Sequence, residues 1–116
     1  MRSSILASVK DYCLVPQETT VFDGTLCDEI NKAFFTLAEL GCSKTPFMVE
    51  DAAAEWEDFT DDPFLLAVVP TYIKQSAKLG FDPPANSFLV TQLEKSNEEL
   101  VSRISYAVDP GWEGIE

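Results

Sequence analysis

Seven carboxylates crowd into one short stretch, Glu50, Asp51, Glu55, Glu57, Asp58, Asp61 and Asp62, and they are the densest set of side chains here that could do chemistry. Clustered acids can ligate a hard cation such as calcium, and a pair at a set separation can act as acid and base on a glycosidic bond. A calcium loop, however, alternates its acids around a central glycine before a closing glutamate, and this run contains no glycine. Nothing in the spacing selects one pair for hydrolysis. The chain has no histidine, so the commonest metal ligand and the side chain that titrates near neutrality are both missing. Cys13, Cys27 and Cys42 form no C-x-x-C pair and read as small buried apolar side chains of a reducing compartment. The glycines at 24, 41, 80, 111 and 114 stand apart, without a phosphate-cradling pattern. No catalytic residue, metal or cofactor is expected, and the chain does not read as an enzyme. The acidic run is left with two readings, a solvated face or a surface with a mechanical or electrostatic role in an assembly.

Length and charge narrow the classes further. The chain has 116 residues, 46% of them hydrophobic, which suits one domain with one core. Twenty Asp and Glu against eight Lys and Arg give a formal charge of -12, which repels phosphate backbones. Sequence-independent binding to nucleic acid is disfavoured. The same charge on a small fold could instead imitate spaced phosphates, so an acidic DNA-mimic inhibitor of a nucleic-acid-binding enzyme is the alternative function. After Met1-Arg2-Ser3-Ser4 comes a stretch too short and polar for a signal peptide, and no run approaches the ~20 apolar residues that span a bilayer. No membrane partner is expected.

The elements that must position these residues are mostly helical. Ser3 or Ser4 caps a first helix with Ile5, Leu6, Val9, Tyr12 and Cys13 at helical spacing, ending before Pro16. A second, long helix starts from a cap at Asp23 or Thr25, carries Leu26, Ile30, Phe34, Leu37 and Ala38 on one stripe, and ends at a left-handed Gly41. Phe47-Met48-Val49 could pair with Glu55-Trp56-Glu57 as a hairpin turning near Asp51-Ala52, although the alanines at 52 to 54 suit a helical turn equally well. Asp61 or Asp62 caps the next helix with Pro63 at its first position. Its inward stripe is Leu66, Val69, Ile73 and Ala77, Pro70 should kink or interrupt it, and Gly80 should end it. Beyond the stiff corner Phe81-Asp82-Pro83-Pro84, a last helix from Asn86 or Ser87 turns Phe88, Leu89, Leu93, Leu100 and Ile104 inward and ends after Tyr106. The expected fold is mainly α, a small four-helix bundle with a short β-hairpin between helices 2 and 3 and an extended C-terminal tail. Residues 1–106 form the domain and 107–116 the arm.

That arm, with Asp109, Pro110, Trp112 and Ile115, cannot continue a helix yet carries two large apolar side chains. It either folds back over its own domain or docks on another chain, and an aromatic anchor on an acidic arm favours docking. Fully extended, its last eight residues reach about 25 Å.

The segment Leu79-Gly80-Phe81-Asp82-Pro83-Pro84, followed by Ser87-Phe88, resembles the corner of head-tail connector, or adaptor, proteins of long-tailed bacteriophages. Trp56, Asp58 and Phe59 are similar to the aromatic and acidic hairpin of those proteins, and the likeness spans roughly residues 4 to 106. The resemblance implies a structural virion protein at the head-tail interface, made in the host cytoplasm. It implies a homo-oligomeric ring of about twelve copies. Such a ring lies beneath the portal protein, extends the DNA channel and meets the next connector, stopper or tail protein, with DNA as a transient, non-specific passenger. Within it the arm residues Asp109, Pro110, Trp112 and Ile115 would engage the portal. Phe47, Trp56, Asp58 and Phe59 would contact ring neighbours, and Phe81, Asp82, Pro83 and Pro84 would form the structural corner. Carboxylates facing the lumen would keep DNA from sticking.

Overall fold

The computed structural model describes residues 4–42 and 47–108. They form five helices: α1 (Ile5–Tyr12), α2 (Asp23–Glu39), the single turn α3 (Trp56–Phe59), α4 (Pro63–Phe81) and α5 (Ser87–Val108). The central member is α4, which packs on each of the other four. Its sequence explains this, because Phe64-Leu65-Leu66-Ala67-Val68-Val69 is apolar nearly all round, and such a helix is stable only with neighbours on several sides.

The helix ends follow local chemistry. Ser4 Oγ accepts from the Ala7 N–H at 3.2 Å to open α1, and Asp62 Oδ1 accepts from Phe64 and Leu65 at 2.8 and 3.4 Å to open α4, ahead of Pro63. At the end of α2, Gly41 has φ +100°, its N–H bonds the Ala38 carbonyl at 3.0 Å, and the Cys42 N–H reaches back to Leu37 at 3.1 Å. That is a Schellman closure with glycine at the left-handed position. The end of α1 repeats it with a costlier residue: Leu14 stands at φ 62°, and Val15 bonds back to Lys10 at 2.8 Å.

The core gathers Ile5, Leu6, Val9, Leu26, Ile30, Leu37, Val69, Ile73 and Ile104 around the fully buried Phe34. The Phe34 ring centroid is 4.9 Å from Phe59, 5.1 Å from Phe47 and 6.5 Å from Trp56, an aromatic cluster in which Phe47 meets Phe34 edge to face and the other two rings are tilted against it.

Several expectations are corrected. The hairpin does not form, and no strand occurs among the described residues. Val49 gives its backbone groups to the side chain of Asn31, and Glu55 instead makes an isolated antiparallel bridge to Ser4. Residues 56–59 close a helical turn because Glu55 and Asp58 cap one another, the Glu55 N–H donating to Asp58 Oδ2 at 2.9 Å. Asp23 does not cap α2 but lies in its first turn, where its carboxylate meets Lys10. Pro70 does not interrupt α4, and Gly80 does not end it, since the helix continues to Phe81. A Cβ at Gly80 would run into the Glu29 carboxyl, so this glycine marks a close approach of α4 to α2. The last helix continues through Ala107 and Val108, past its expected end at Tyr106.

Candidate docking surfaces

The acidic run is mostly engaged in shaping backbone. Asp51 Oδ1 accepts from the Ala53 N–H at 2.8 Å, Glu55 and Asp58 make the reciprocal cap of α3, and Asp62 caps α4. These carboxylates supply acceptors to N–H groups that helix and turn starts leave unpaired. Among the described residues, no three Cys, Asp or Glu side chains gather in a way that could hold a metal ion. The acid before Pro63 announced the cap of α4 in the sequence, and an acid three residues after Glu55 was the signal that could have announced the cap of α3.

The thiols are equally plain. Cys13 and Cys27 are buried and Cys42 half-buried, all three unbridged, and desolvation pushes each above the ordinary thiol range. A thiol held protonated is a poor nucleophile.

Of the residues assigned to ring contacts, Trp56 is buried, and Phe47 and Phe59 are half-buried with their rings on Phe34. The Trp56 indole N–H donates to Ser8 Oγ at 3.2 Å, tying α3 to α1. These aromatics spend much of their surface inside the subunit. The corner Phe81–Pro84 is held from two sides: Phe81 meets Phe22 edge to face at 5.4 Å, and the Asp82 N–H bonds the Lys78 carbonyl at 2.9 Å. The arm residues Asp109, Pro110, Trp112 and Ile115 lie outside the described residues.

What the body leaves uncovered is apolar surface in separate places. On α5, of the residues expected to face inward, only Ile104 is buried; Leu93 and Leu100 are half-buried, while Phe88 and Leu89 are 65% and 50% exposed. The cause is register. Helices α4 and α5 run antiparallel, with Asn97 Nδ2 donating to Ser76 Oγ at 3.1 Å, so α4 ends at Phe81 before it can cover the first turn of α5. Elsewhere, Phe35 on α2 and Met48 on the segment after it are exposed and line a groove of about 440 Å³ with Asp28, Asn31 and Lys32. A further apolar groove lies between the start of α4 and the end of α5. Leu14 and Val21 stand out at the α1–α2 connection, which Lys10 organises by donating to the carbonyls of Gln17 and Thr19 at 2.9 and 2.6 Å. Exposed large apolar groups in clusters mark contact surfaces more often than scattered single ones do. No helix among the described residues is long and apolar enough to cross a membrane.

No curated protein and no solved structure matches the chain. A sequence profile of the family described as phage connector protein matches residues 5–111, nearly the whole chain and every helix described above. A match of that extent places the chain in the phage connector protein family, a family of structural virion components.

Proposed function

We propose that the protein is a head-tail connector subunit that repeats as a ring of about twelve copies beneath the portal, continuing the DNA channel and presenting a surface to the next connector layer. The observation that carries this reading is the presence of two unlike apolar patches, Phe88–Leu89 on α5 and Phe35–Met48 on α2 and the segment after it. A ring built head to tail needs two different patches on each subunit, one for each neighbour, whereas a two-fold dimer needs only one. Phe47, next to Met48 in the chain, packs edge to face on Phe59 with centroids 5.5 Å apart, and both rings are half-buried, so part of each is left for a neighbour. The Phe81–Pro84 corner sets the direction in which α5 carries Phe88 outward. Asp109, Pro110, Trp112 and Ile115 supply the portal anchor, and the net charge of -12 lets DNA pass a lumen lined with carboxylates without adhering.

Binding of the full chain and of a chain ending at Val108 to immobilised portal tests the arm's part. The full chain binds and the shortened chain does not; equal binding of the two contradicts the assignment of the arm as portal anchor.

A further inference from the structure

A groove of about 550 Å³ opens between the first turn of α4 and the last turns of α5, lined by Phe64, Ser102, Arg103, Tyr106 and Ala107. Phe64 and Tyr106 are both exposed, so two aromatic faces stand in water side by side. The described part of α5 reaches this very place, since Ala107 lines the groove and Val108 is the last described residue. The next four residues are Asp109-Pro110-Gly111-Trp112. An acid, a proline and a glycine in that order are the residue types favoured at the first three positions of a reversing turn: an acid can accept from the backbone ahead, proline presets its angle, and glycine tolerates the left-handed one. Placed directly after a helix, such a turn sends the chain back along the helix it has just left. Trp112 is four residues beyond Val108, a span of up to about 13 Å, ample for a side chain returning to the last turn of α5. Charge agrees with shape. The arm carries Asp109, Glu113 and Glu116, and Arg103, the one cation among the described residues lining the groove, is more than half exposed and pairs with Glu99 at 3.0 Å through only part of its five-donor guanidinium.

We propose that Trp112 of the chain's own C-terminal arm fills this groove in the isolated subunit, packed on Phe64 and Tyr106 with the arm's carboxylates beside Arg103. The arm is then stowed on its own body until another surface offers Trp112 a better pocket. Only that release step rests on the portal reading; the stowing itself does not.

Acrylamide quenching of Trp112 fluorescence tests this in the full chain, the contribution of Trp56 being removed by subtraction of the Trp112→Phe variant. The expected result is quenching several-fold weaker than in a synthetic peptide of residues 109–116, rising toward the peptide value in Tyr106→Ser and in Arg103→Glu. Both altered side chains are exposed, and an unchanged thermal unfolding curve verifies that the fold survives. Quenching equal to that of the peptide overturns the proposal, as does shielding indifferent to both substitutions. Shielding that appears only at concentrations where sedimentation detects multimers also overturns it, since the groove would then hold the arm of a second copy. Failure of the chain to bind a portal would count against the ring reading and leave these results unaffected.

Discussion

The side-chain amide of Asn31 takes both backbone groups of Val49, donating from Nδ2 to the carbonyl at 3.0 Å and accepting the N–H on Oδ1 at 2.7 Å. One side chain on α2 thus stands in for the neighbouring strand that Val49 lacks, and it fixes the segment that brings Phe47 onto Phe34. Val49 is fully buried, so these two backbone groups have little access to water in exchange. Asn31→Ala is expected to lower stability by about 2–3 kcal/mol, measured by urea denaturation, because a buried donor and acceptor lose their partners together.

Lys10 makes the second long-range tie. Its buried ammonium meets Asp23 Oδ1 at 3.0 Å and the carbonyls of Gln17 and Thr19, holding the α1–α2 connection in one shape. Lys10→Met is expected to cost about 2–3 kcal/mol, less than the loss of one partner from a fully buried pair because the Asp23 side chain is 32% exposed. A denaturation midpoint like that of the native chain would show that the connection does not need the clamp.

Three backbone positions give opposite signs. Gly41→Ala places a Cβ at φ +100° and 3.2 Å from Val108 Cγ1, and should destabilise by about 1–2 kcal/mol. Leu14→Gly removes the left-handed penalty at φ 62° from a side chain that is 84% exposed, and should stabilise by up to about 1 kcal/mol. Gly80→Ala displaces the Glu29 carboxylate and its contact with Lys32, worth a few tenths of a kcal/mol, but gains about 1 kcal/mol of helix propensity. The gain is the larger, so a modest stabilisation is expected. Thermal unfolding of the three variants checks the signs.

The buried thiols impose a pH dependence. Cys13, Cys27 and Cys42 are all raised, first by desolvation, so the folded chain keeps protons that the unfolded chain releases. Their contribution to stability is complete below the ordinary thiol value of about 8.5 and is lost as pH rises through the raised values. The urea midpoint should fall as pH rises past about 8.5, and fall less when all three are alanine. Equal slopes in the two proteins would contradict it.

Elements whose signals are local were legible in the sequence. Ser4, Asp62 with Pro63, Asn86 and Gly41 each act within a few residues, and each opens or closes a helix as expected. The segment from Phe47 to Phe59 was not legible, because its fate depends on Asn31, eighteen positions before Val49, and on Ser4 across from Glu55. The alternation Glu55-Trp56-Glu57 suits a strand, but Trp56 and Phe59 are also three apart, the spacing of one helical face. For α5 the stripe was legible and its burial was not. Phe88 and Leu89 lie on the apolar face, but whether that face is covered depends on where α4 stops, which no periodicity in α5 records. The candidate contact residues divide the same way: aromatic character marked Phe47, Trp56 and Phe59, while the exposed pairs Phe88–Leu89 and Phe35–Met48 emerge only from packing.

The most direct measurement is the mass of the complex formed when the protein is mixed with portal, for the native chain and for Phe88→Ser with Leu89→Ser. Both altered side chains are exposed, so the variant should unfold at the temperature of the native chain. A closed ring of many copies on each portal is expected for the native chain, and at most scattered single copies for the variant. A native chain that never assembles into a ring in any mixture, or a variant that assembles as well as the native chain, would contradict the account.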